Sequence, residues 1–166
     1  MILISYDGST DAKAAIERAG ELLGGQTATV LTVWEPFVEV LAHVPWAFGM
    51  PTANIDIGEI DKAARESAEQ VSTEGAELAR KAGLNAKPRC CSQVTTTANA
   101  ILSQADKLGA SAIVMGSRGL HGVKSLLLGI VSHAVIQHAD RTVIVVPSPA
   151  VATARGQERH EAHEAG

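Results

Sequence analysis

The sequence predicts a three-layer α/β domain on a five-stranded parallel sheet. Short apolar, β-branched runs alternate with helix-period patterns, and the series closes on a strand. Such alternation marks βαβ units joined by right-handed crossovers. Hydrophobic residues make up 46% of the 166 positions and aromatic residues only 3%. The core must therefore be filled by Val, Ile, Leu and Ala, which suits helices laid on a parallel sheet. A chain of this length holds one domain with room for a core. The expected domain is 1–148, followed by a flexible charged tail, 149–166.

Each element has its own signal. Ile2 to Tyr6 is a short apolar run and reads as the first strand. Ser9 or Thr10 can cap a helix to about Leu23, with Ala15, Ile16, Ala19, Leu22 and Leu23 on one face. Gly24 and Gly25 end it. Ala28 to Trp34 is the second strand, and Ile57 to Ala82 a long amphipathic helix stopped by Gly83. Ala86 to Ser92 is a polar third strand, expected at a sheet edge. Thr97 to Leu108 is helical, Ala112 to Met115 is the fourth strand and Val131 to His138 the last helix. Thr142 to Val146 is the fifth strand, stopped by Pro147.

Two stretches stand outside this plan. The segment from Glu35 to Asp56 carries Pro36, Pro45 and Pro51 with Trp46, Phe48 and Met50. It is too proline-broken for a long helix and too apolar for a solvated linker. It reads as a lid, a partner surface or a loop packed on its own domain. The tail is charged and rich in small residues, so it reads as disordered or loosely helical.

Charge and composition narrow the function. A net charge of −4 gives no overall electrostatic support for nucleic-acid binding. No basic region follows Met1 and no apolar run reaches membrane length, so a cytoplasmic chain without a membrane partner is expected. Cys90 and Cys91 are adjacent and would point to opposite faces of a strand. They read as two reduced thiols, one of them packed inward; no cysteine–histidine cluster has zinc-site spacing.

The run from Gly116 to Ser132 carries the chemistry. Gly116, Gly119 and Gly129 lie between the end of a strand and the start of a helix. Glycine there lets backbone N–H groups approach a phosphate, and a helix start offers unpaired donors and a favourable dipole. A plain strand-to-helix turn is the competing reading. Asp7 stands at the end of the first strand, where a carboxylate can cap the first helix. No nucleophile–base–orienter set is visible, and the P-loop lysine pattern is missing.

With these residues in view, the chain resembles the universal stress protein family over about residues 1 to 148. The likeness lies in the opening Ile-Leu-Ile-Ser-Tyr-Asp-Gly-Ser and the Met115-Gly-Ser-Arg-Gly run. The Leu126-Leu-Leu-Gly block and the closing Val143-Ile-Val-Val-Pro extend it. The nucleotide-binding branch of that family is marked by Gly-x2-Gly-x9-Gly followed by Ser or Thr, which Gly116, Gly119 and Gly129 match in spacing. The resemblance implies a Rossmann-like sheet related to the adenine nucleotide α-hydrolases, with expected strand order 3-2-1-4-5. It implies ATP, with AMP and ADP as alternatives, and Mg²⁺ accompanying the triphosphate. Adenine would lie near Asp7 and Val33, ribose near Met115 and Gly116, and phosphates along Gly119, Gly129, Ile130, Val131 and Ser132. It also implies a homodimer through Thr142 to Val146, with Val143 and Val145 meeting their symmetry mates.

Ile130 departs from that pattern, which puts a hydroxyl there. A hydrogen bond to a charged group is worth about 1.5–3 kcal/mol. Its loss would weaken affinity about 10- to 100-fold. Arg118, His121, Lys124 and Ser125 lie nearby in sequence. The expected role is a stress-response protein using the nucleotide as ligand and switch, and not as an enzyme's substrate. The alternatives are a dimeric interaction module that binds no nucleotide, and a weak ATPase; the first strand lacks the Ser-Gly-Gly-x-Asp-Ser loop that would favour nucleotidyl transfer.

Overall fold

Strands and helices follow one another in the computed structural model, which describes residues 1–42, 56–119, 128–153 and 156. In chain order they are β1 (Ile2–Ser5), α1 (Thr10–Leu23), β2 (Thr27–Trp34), α2 (Phe37–Ala42), α3 (Ile57–Lys81), β3 (Asn85–Ser92), α4 (Thr97–Leu108), β4 (Ala112–Gly116), α5 (Ile130–His138) and β5 (Thr142–Val146). The sheet is parallel throughout, in the order β3-β2-β1-β4-β5. This is the predicted architecture and strand order. The polar strand β3 lies at one edge, where Pro88 is tolerated, and β5 lies at the other.

Strand alternation divides the core between the two faces. Ile2, Ile4, Ala28, Val30 and Val114 pack with α1 and α3. Leu3, Leu31, Ile113 and Met115 pack with residues of α4 and α5. Small residues on α1 and α3, among them Ala12, Ala15, Ala19, Ala76 and Ala79, let those helices close on the sheet. The cysteines obey the same alternation. Cys91 packs on the α4 side, Cys90 Sγ faces Glu69 of α3, and both thiols are free. Burial pushes both thiols above the usual cysteine range.

Some boundaries differ from expectation. β1 ends at Ser5, with Tyr6 just beyond it, and α5 begins one residue earlier, at Ile130, because Gly129 is its cap. Within the proline-rich segment, Phe37–Ala42 forms a short helix whose first N–H donates to Asp61 Oδ1 at 2.7 Å. Pro45, Trp46, Phe48, Met50 and Pro51 lie outside the described residues. In the tail, read from sequence as disordered or loosely helical, 149–153 is helical and Val151 is buried.

Tyr6 anchors the point where β1 leaves the sheet. It is 1% exposed, its N–H donates to the Leu31 carbonyl, and its own carbonyl accepts from Thr32 Oγ1. Its ring lies against Gly75 of α3, where a Cβ would fall 2.6 Å from Tyr6 Cδ1. The hydroxyl donates to Glu74 Oε1 at 3.0 Å, and Lys13 Nζ reaches the same oxygen at 3.1 Å. Burial, then the Glu74 carboxylate, pushes the phenol far above its ordinary range. The Lys13 and Tyr6 contacts hold Glu74 below the usual carboxylate range.

Two expectations follow from this packing. Tyr6 is the one tyrosine of the chain, so tyrosinate absorbance reports on it alone. Its folded pKa is raised, so the native state keeps a proton that the unfolded state loses from about pH 10 upward. Stability should therefore fall as pH rises past that point, and tyrosinate should appear only with unfolding. Titration near pH 10 while the far-ultraviolet circular dichroism stays native would contradict this. Gly116 is the second case. A Cβ there would lie 2.7 Å from Asp11 C and 2.9 Å from Ala12 N, backbone atoms that no rotamer change can move. Gly116→Ala should cost about 1–3 kcal/mol, read as a lower urea midpoint, and an unchanged midpoint would refute the contact.

Candidate functional site

Parallel pairing places all strand carboxyl ends on one edge of the sheet. The chain leaves β1 for β2 and β3 on one side and returns to β4 and β5 on the other. β1 and β4 therefore flank the topological switch point, beyond which such sheets form their binding crevice. Asp7 follows β1, and Gly116 ends β4. Ser117 to Gly119 and the start of α5 follow at the same edge.

The turn after β1 is built by side chains. Ser9 is the cap of α1, its Oγ accepting the Ala12 N–H at 3.2 Å. Asp7 instead braces the turn, its Oδ1 accepting the Ser9 N–H at 3.0 Å. The other carboxylate oxygen faces the loop after β4. A Cβ on Gly119 would lie 2.6 Å from Asp7 Oδ2. Glycine at 119 thus lets the loop backbone come against the carboxylate.

The remaining glycines do different jobs. Gly116 turns toward α1, and its missing Cβ admits the backbone of Asp11 and Ala12. Gly129 caps α5 with no side-chain hydrogen bond, and its N–H donates to the Ser117 carbonyl at 2.7 Å. A Cβ at Gly129 would meet nothing closer than 3.4 Å, so that position has room for a small side chain. Behind Gly129, the N–H groups of Ile130, Val131 and Ser132 open the helix, where no intrahelical acceptor exists for them. An anion suits that position.

The other predicted residues are distributed as follows. Ile130 is 83% exposed at the first position of α5. Val131 and Val33 are partly buried against the α4 side of the core. Met115 is buried in that same cluster, so what it can offer a ligand is main chain. Ser132 is 2% exposed, with Oγ 2.9 Å from the Ser117 carbonyl and 3.0 Å from that of Gly129. Its hydroxyl is turned inward to brace the loop. His133 is exposed. His121, Lys124 and Ser125 lie outside the described residues.

Asp11 and Ser117 were not singled out by sequence. Asp11 is 7% exposed, and its Oδ2 accepts the Ser117 hydroxyl at 2.7 Å and the Arg118 N–H at 3.2 Å. Arg118 Nε lies 3.8 Å from the same oxygen, so this arginine is paired to an acid. Asp in a first helical turn reads as a dipole-favoured acid. The pairing itself, across 106 residues, leaves no mark in local spacing. Among the described residues, no group of three His, Cys, Asp or Glu side chains could hold a metal ion, and no helix is long and apolar enough to cross a membrane.

Comparison with known proteins agrees with this fold. The chain is 30% identical over 152 residues to the universal stress protein YxiE of Bacillus subtilis, covering 87% of this chain and 97% of that one. It is 32% identical over 148 residues to a universal stress protein of Thermus aquaticus, covering 87% and 96%. Two solved structures share the fold at 21% identity. One is a universal stress protein in complex with cAMP, with TM-score 0.59, covering 89% of this chain and 95% of that one. The other is the universal stress protein of Archaeoglobus fulgidus in complex with dAMP, with TM-score 0.54, covering 87% and 95%. The profile described as the universal stress protein family matches residues 1–147, from β1 through the end of β5, and the chain belongs to that family.

Proposed function

We propose that this chain is a cytoplasmic stress-response protein that binds ATP, or another adenine nucleotide, as ligand and switch. The observation that carries the reading is the convergence of Asp7, Gly119 and the start of α5 at the switch point between β1 and β4. Two neighbours of the same fold hold adenine nucleotides, which supports that ligand class. Asp7 and the main chain at Val33 would meet the nucleoside, with ribose beside Met115 and Gly116. Phosphates would run along Gly119 to the N–H groups of Ile130, Val131 and Ser132. Gly129 N–H and the Ser132 hydroxyl are spent on loop carbonyls, so they brace the site. Mg²⁺ would arrive with a triphosphate.

The exposed Ile130 favours a second reading, a dimeric interaction module of the same fold without a nucleotide. Calorimetry with ATP, AMP and Mg²⁺ separates the readings. Saturable heat without turnover is expected; no heat would favour the module, and rapid phosphate release would make the chain an ATPase. In the same experiment Ile130→Ser should tighten ATP binding about tenfold or more. Unchanged affinity would show that Ile130 is not the limiting feature.

The homodimer belongs to the same proposal. β5 is an edge strand, Thr142 is exposed and Val143, Ile144, Val145 and Val146 are each only partly buried. An apolar edge of that kind invites pairing with a second copy. Sedimentation at micromolar concentration should give twice the chain mass, whereas a single-chain mass would remove the dimer from the proposal.

A further inference from the structure

We infer that Asp11 is a positioning residue for the candidate ligand site, acting through Ser117. The affinity readout of this inference rests on the nucleotide reading above; its structural readout does not.

Every polar group of Ser117 is engaged. Its N–H donates to the Val146 carbonyl at 2.8 Å and its hydroxyl to Asp11 Oδ2 at 2.7 Å. Its carbonyl accepts from Gly129 N–H at 2.7 Å and lies 2.9 Å from Ser132 Oγ. Ser117 thus joins the first turn of α1, the end of β5 and the start of α5. Asp11 Oδ2 also takes the Arg118 N–H, and the next residue is Gly119, whose backbone lies on Asp7 Oδ2.

One rigid turn therefore carries two functions. The Asp7 carboxylate lies against Gly119 of the loop after β4, and Asp11, four residues on, holds the start of that same loop. Removing the Asp11 carboxylate leaves the buried Ser117 hydroxyl and the Arg118 N–H without their acceptor. A shift of Ser117 moves the carbonyl that holds Gly129 and Ser132. The donors at the start of α5 then move relative to Asp7. A ligand spanning Asp7 and the start of α5 senses that displacement, because binding groups must be held within a fraction of an ångström.

The test compares Asp11→Ala with Asp11→Asn, each under conditions where its unfolding curve shows it folded. Asp11→Ala should weaken binding of ATP and AMP about tenfold or more. Asp11→Asn keeps an oxygen that can accept from the Ser117 hydroxyl and should recover most of that loss. Amide exchange at Arg118 and Gly129 should quicken in Asp11→Ala while exchange in β2 and α4 stays unchanged. Unchanged affinity in folded Asp11→Ala, or exchange that quickens uniformly across the core, would show a merely structural residue and overturn the inference. Tighter binding by Asp11→Asn would also overturn it, pointing to charge and not position. Should Asp11→Ala fail to fold, Ser117→Ala deletes only the hydroxyl and the same two readouts decide. Should the wild type bind neither nucleotide, the nucleotide reading fails, and amide exchange alone decides the role of Asp11.

Discussion

Close contact between the end of β4 and the first turn of α1 fixes where the loop after β4 begins. The contact exists because Gly116 has no Cβ: the backbone of Asp11 and Ala12 occupies that space. Only at this distance can the Asp11 carboxylate reach Ser117 and the Arg118 N–H. A carboxylate removed from water costs several kcal/mol unless its lone pairs are satisfied. Here two hydrogen bonds and the nearby Arg118 offset that cost. Packing comes first in this order of causes: a missing methyl group permits an approach, the approach permits a buried hydrogen bond, and the bond fixes a loop.

Tyr6 plays the matching part on the β1 side of the candidate site. The core is aliphatic and small-residue rich, and Tyr6 is the largest fully buried side chain among the described residues. Gly75 makes room for the ring, and Glu74, on the solvent side of α3, satisfies the hydroxyl. Since Tyr6 immediately precedes Asp7, the ring's fit limits where the Asp7 carboxylate can sit. The β1 and β4 sides of the candidate site thus each rest on a glycine contact, Gly75 of α3 against Tyr6 and Gly116 of β4 against α1. Each is backed by a hydrogen bond to a carboxylate.

Strand and helix order was legible because it rests on periodicity, which is local. The alternation of apolar runs with amphipathic stretches led to the parallel sheet, and the polar character of 86–92 marked its edge. Helix ends were legible where a cap or a glycine marks them, as at Ser9 and Gly24 of α1, whereas the start of α5 was set one residue late. The division of labour among the three glycines was not. Spacing shows that Gly116, Gly119 and Gly129 belong together, but only the packing shows that the first serves a helix contact, the second a carboxylate and the third a helix cap. Asp11 stayed hidden for the same reason. A carboxylate two residues after a cap looks like a dipole partner until tertiary structure places Ser117 beside it.

Ile130 and Ser132 together show how location and strength can part company in such a site. The first is exposed but has no polar side chain; the second has a hydroxyl but turns it inward to loop carbonyls. In the proposed reading, an anion at the start of α5 would be met by main-chain N–H groups. Those groups are present whatever side chains the helix carries, so their position follows from the fold, and ultimately from Ser117 and Gly129. Side-chain donors, by contrast, can be gained or lost one residue at a time without disturbing the backbone. Ile130 projects from the helix and touches little, which is why its replacement by a hydroxyl residue is structurally permissible. The anchor at Asp11 is the opposite case: buried, and shared between two loop groups.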